Sequence, residues 1–91
     1  MTSTETLLPK LKIDLGITTT AFDTRLTDHI DAAKIDIERE GIVLGSAADD
    51  DDLILMFAGW RWRNRATGEE MPRMLRFAMN NKLCAQKMGG A

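Results

Sequence analysis

The sequence predicts an all-α fold, a small bundle of four to five helices, on three observations. Apolar residues recur at three- and four-residue spacing between Gly and Pro punctuation. No stretch alternates apolar and polar residues for long enough to make a strand, and β-branched residues are scattered. With 91 residues, 44% hydrophobic and 29% charged, the chain makes one domain, residues 1–91, near the lower limit for a self-sufficient core. Chains of this size often gain burial by associating.

The first helix is expected over 4–15. Leu8, Leu11 and Leu15 form its stripe, and Gly16 stops it. Pro9 suits only a first turn, which would move the start towards Thr6. After the loop "GITTTAFD" a long second helix is expected over 20–40. Thr20 is placed to cap it, and Asp23 three residues on makes an acidic variant of the capping box. Phe22, Leu26, Ile30, Ala33 and Ile37 line one face, Asp28, Asp31, Lys34, Asp36 and Arg39 lie largely off it, and Gly41 ends it.

"GIVLGSAADDDD" reads as the connection to an apolar third helix over 51–65. Its four aspartates lack the alternate spacing, central Gly and distant Glu of an EF-hand loop. Carboxylates at a helix start suit the positive end of its dipole, so no metal is expected there. Pro72 opens a fourth helix over 72–87. Leu75, Met79 and Leu83 are its apolar stripe, with Phe77 and Cys84 beside it, Cys84 as a small core residue, and 88–91 reads as a frayed tail.

Charge divides along the chain. Residues 1–52 hold five basic and twelve acidic side chains, net −7; residues 53–91 hold seven basic and two acidic, net +5. Such polarity either neutralises within the fold or favours head-to-tail contact between copies. The opening "MTSTETLLPKLK" lacks the basic start and apolar run of a secretory signal, and "LILMFAGW" is too short to span a bilayer. With a single cysteine, a soluble protein made in the cytoplasm is expected.

"AGWRWRNR", residues 58–65, raises the question of nucleic-acid binding, because rings stack on bases and arginines bind phosphate. Helical geometry argues against it. At about 100° per residue, Trp60 and Trp62 point to nearly opposite sides, and Arg61 and Arg65 share a side that Arg63 leaves. A helix end buried on two sides, by the chain itself or by a neighbouring subunit, is the better reading. A pI near 5.3 points the same way.

No catalytic constellation is legible. His29 is the only histidine and sits in a helix between Asp28 and Asp31 as a surface or half-buried packing residue. One His and one Cys assemble no metal site without scattered carboxylates, and no Gly-rich loop or nucleophile motif is present. Neither catalytic activity nor a cofactor is expected.

Four pieces in order, covering about residues 7–83, resemble a known family. They are "LLPKLKIDLGI", "TTAFDTRLTDHIDAAKIDIEREGI", "DDLILMFAGWRWRNRA" closing in Trp62-x-Asn64-Arg65, and the Pro-started "EEMPRMLRFAMNNKL". The layout is similar to the head–tail connector proteins of tailed bacteriophages, small helical adaptors that form the virion neck. The resemblance implies a structural, DNA-packaging role after assembly in the host cytoplasm. It implies a ring of about a dozen copies beneath the portal protein, extending the DNA channel and carrying further neck or tail proteins. DNA would pass through without being read, and no membrane is involved. On this reading an acidic face drawn from Asp28, Asp31 and Asp36 meets a basic face drawn from Arg61, Arg63, Arg65, Arg73 and Arg76, with Trp60 and Trp62 packing near the contact. The alternative is a small helical nucleic-acid-binding protein of the terminase-small-subunit or helix-turn-helix type. Its recognition helix would be "PRMLRFAMNNKL", with Arg73, Arg76, Asn80, Asn81 and Lys82.

Overall fold

Four helices account for the secondary structure in the computed structural model, which describes residues 2–65 and 70–89. They are α1 (Thr4–Leu15), α2 (Asp23–Arg39), α3 (Ala48–Arg63) and α4 (Arg73–Gly89). The all-helical class holds, with no strand among the described residues. At 17 residues α2 is no longer than α4, so length does not single it out.

Local chemistry explains most boundaries. Ser3 caps α1, its hydroxyl accepting from the Thr6 N–H, so the helix starts before Thr6 and Pro9 lies inside it. Pro9 has no N–H for the Glu5 carbonyl, but Glu5 is exposed and water can satisfy that group. Gly16, at φ +70°, ends α1: its N–H bonds the Ile13 carbonyl while Ile17 reaches back to Lys12, the paired bonds of a Schellman close.

The expected Thr20 cap of α2 does not form. The helix begins at Asp23 behind Phe22, with no side-chain cap. Thr19 makes a local turn, accepting from the Ala21 N–H, and the Asp23 carboxylate pairs with Lys12 of α1 at 2.8 Å. A tertiary ion pair has taken the carboxylate that a capping box would use. Gly41, at φ +96°, turns the chain after α2.

The core lies where α1, α2 and α3 meet. Leu7, Leu11, Leu26, Ile30, Ile37 and Ile54 are its fully buried large side chains. Each contributes about 1.5–3 kcal/mol relative to exposure. The link after α2 is a packed segment: Ile42 and Leu44 point inward while Val43 is 74% exposed.

α3 starts at Ala48, three residues earlier than expected, because Asp49, Asp50 and Asp51 make its first turn. α4 packs on α3 and on the 41–45 segment. Lys82 pairs with Asp49 at 2.7 Å and also with Asp50, whose other oxygen accepts from the Gly45 N–H at 2.9 Å. Gln86 clamps Val43, accepting from its N–H at 2.8 Å and donating to its carbonyl at 2.7 Å. These bonds hold the far end of α4, which runs to Gly89. Residues 90 and 91 of the expected tail lie outside the described residues.

Candidate functional site

Three surface features draw on the residues singled out in the sequence. The first is the end of α3. Trp60 and Trp62 do turn to different sides: Trp60 meets Phe57 edge-on at 5.5 Å, whereas Trp62 meets Phe22 at 5.4 Å and His29 at 5.7 Å. The Arg65 guanidinium lies 3.8 Å over the Trp62 ring and also donates to the Trp62 carbonyl. Trp62 thus ties the end of α3 to α2, and Phe22, though 44% exposed, is part of that contact.

Burial pushes the His29 imidazole below its ordinary pKa, and the nearby positive charges of Arg61 and Arg65 push the same way; Asp28 opposes them. Half-buried, His29 has a buried Nδ1 with no hydrogen-bond partner among the described residues. Its ring packs edge-on against Trp62.

Charge polarity is partly consumed inside the chain. Arg61 of α3 pairs with Asp36 of α2 at 2.7 Å, and Arg39 stands 3.9 Å from the same carboxylate. The Thr4 hydroxyl donates to Asp31 while accepting from Lys34 at 2.9 Å. Of the acidic face expected on α2, Asp36 and Asp31 therefore have partners within the chain, and Asp28 is exposed beside His29.

The second feature is a groove of about 480 Å³ between α1 and α3, which the sequence did not reveal. Its apolar floor includes Leu11, Leu15, Leu55 and Met56. Gly59 lets the floor run deep: a Cβ there would meet only Arg63, Leu11 and Leu15, at 3.8–4.0 Å. Asp14 and Asp52 line the groove as well, and Arg63 lines it near Gly59. Asp52 sits in a run of four aspartates whose members serve the dipole of α3, and nothing in the run itself marks one of them as a groove residue.

The third feature is the outer face of α4. Leu75 and Met79 are buried, but Phe77 is 59% exposed and Cys84 is exposed, so the expectation that Cys84 joins the core is corrected. Met74 and Met88 are 76% and 84% exposed. Met74, Phe77, Cys84 and Met88 recur at positions 0, 3, 10 and 14 on a face nearly opposite the buried one, with the polar Asn81 between Phe77 and Cys84. Arg73, Arg76, Phe77 and Asn80 line a shallow hollow beside it. No acidic residue occurs in α4.

The ten candidate interface residues therefore divide. Arg61, Trp62 and Arg65 belong to the α2–α3 junction with Asp36, Trp60 packs on Phe57 within α3, Asp28 is exposed beside His29, Asp31 engages α1, Arg63 lines the groove, and Arg73 and Arg76 flank the α4 stripe. Comparison of the chain with protein-family models, curated proteins and solved structures finds no match. No described helix is long and apolar enough to cross a membrane.

Proposed function

We propose that this chain is a non-enzymatic structural subunit of a tailed-bacteriophage neck, assembling into a ring beneath the portal that extends the DNA channel and joins head to tail. The observation that carries the reading is the pair of unlike open surfaces, an apolar groove with two carboxylates and a basic, apolar helix face. A heterologous, ring-closing contact needs two different complementary patches on every copy, whereas an isologous dimer needs only one. The ordered resemblance of residues 7–83 to connector proteins supplies the setting, with the portal and further neck or tail proteins as partners. DNA then passes along the axis by shape and charge, without base-specific contacts.

Co-sedimentation tests this directly. Mixed with the portal assembly encoded in the same genome, the chain is expected to travel with it through a density gradient. A chain left at the top of the gradient contradicts the proposal.

One observation favours a second reading, nucleic-acid binding: Arg73, Arg76 and Asn80 gather beside the exposed Phe77 on one face of α4. Phosphate contacts weaken steeply with salt, so DNA affinity of the purified chain that falls more than tenfold between low and moderate salt would support it.

A further inference from the structure

We infer that the outer stripe of α4 of one copy seats in the α1–α3 groove of the next. This deepens the ring proposal, on which it rests, by naming the two faces that join. Both faces are apolar and unpartnered within the chain. Met74 and Phe77 stand out from α4, while Leu55, Met56 and Gly59 floor the groove.

Charge selects the occupant. One end of the groove is lined by Asp14 and Asp52, with Lys10 beside them and Arg63 at the other end, and the first turns of α4 carry Arg73 and Arg76 with no carboxylate to oppose them. Lengths agree as well. From Asp52 to Arg63 the groove follows α3 for eleven residues, about 16 Å, which matches the Met74–Cys84 part of the stripe, ten residues and about 15 Å, and leaves Met88 beyond the groove. Orientation follows from the ends. With Arg73 and Arg76 over Asp14 and Asp52, the C-terminal half of α4 lies towards Arg63.

Meanwhile Leu75 and Met79 keep the inner face of α4 on its own α3, so the contact requires no exchange of helices between copies. One helix face falls short of the roughly 800 Å² per partner buried in a stable pair. Two such contacts per copy in a closed ring make up that shortfall.

Cys84, the only cysteine, lies on the stripe and reports the contact by cross-linking. An Arg63→Cys, Cys84→Ser chain carrying a size tag is mixed with the untagged natural chain and oxidised. The expected product is a mixed-size dimer, at least tenfold above that from a Thr24→Cys, Cys84→Ser control on the exposed side of α2. Phe77→Glu in the untagged chain should cut that product at least tenfold while its helical circular dichroism is unchanged. Mixed dimers no more abundant than the control, or unaffected by Phe77→Glu, overturn the inference. If the chain still co-sediments with portal in that case, the ring proposal stands and only the named faces fall. If neither is seen, both fail.

Discussion

At residue scale, helical geometry sets where a side chain points, and tertiary neighbours set what it meets. The two-residue offset of Trp60 and Trp62 dictates opposite directions on any helix, and their contacts obey it. That Arg61 would find Asp36, or Asp23 would leave a cap for Lys12, depends on tertiary neighbours that no local pattern encodes. Two consequences are measurable here. Because Arg61 and Asp36 are each about one-third exposed, a double-mutant cycle should give a coupling of only about 0.5–1 kcal/mol. His29 should titrate by NMR below the ordinary imidazole value of about 6.5. Its folded form disfavours the proton, so its contribution to stability is complete above the unfolded pKa. That contribution is lost as pH falls through the folded one, and Tm should decline across that window in the natural chain but not in His29→Gln. A midpoint at or above the ordinary value contradicts the packing described for Trp62.

At element scale, helices are readable wherever one stripe is apolar, as in α2, whose Leu26, Ile30, Ala33 and Ile37 are all buried. Where two stripes compete the reading is only partly right. α4 carries Leu75–Met79–Leu83 and Met74–Phe77–Cys84 on nearly opposite sides; the first is expected inward and Leu75 and Met79 are buried, but Cys84 is expected inward with it and is exposed. Polar anchors decide which side turns inward: Lys82 and Gln86 share the inner side and reach Asp49, Asp50 and Val43. Asp50→Ala strands the Gly45 N–H and half of the Lys82 pairing. It should cost about 2 kcal/mol and speed amide exchange in α4 more than in α2; uniform acceleration would mean that α4 is not anchored there. Acid should loosen the same joint. The Lys82 hydrogen bond holds Asp49 below the usual carboxylate range, so that contribution is present above the unfolded pKa and lost as pH falls through the folded one. Gly59→Ala in α3 meets no atom closer than 3.8 Å and gains helix propensity. It should raise stability by about 0.5–1 kcal/mol in thermal melts.

At the scale of the whole molecule, a flattened body of 44 × 27 × 18 Å leaves α4 covered on one side only and the α1–α3 groove open. The charge split between residues 1–52 and 53–91 was visible in the sequence, but its division of labour was not. Part of it is spent on Asp36–Arg61 and Asp49–Lys82 inside the fold, and Asp14, Asp52, Arg73 and Arg76 remain on the two open faces. Such a body suits a repeated head-to-tail contact, and the central claim is that the contact closes a ring on a portal. Electron microscopy of portal assemblies incubated with the chain measures this most directly. The expected result is an added ring of density coaxial with the portal channel, absent with Phe77→Glu. Portal particles indistinguishable from those imaged alone, at concentrations where the chain is folded and in excess, would contradict it.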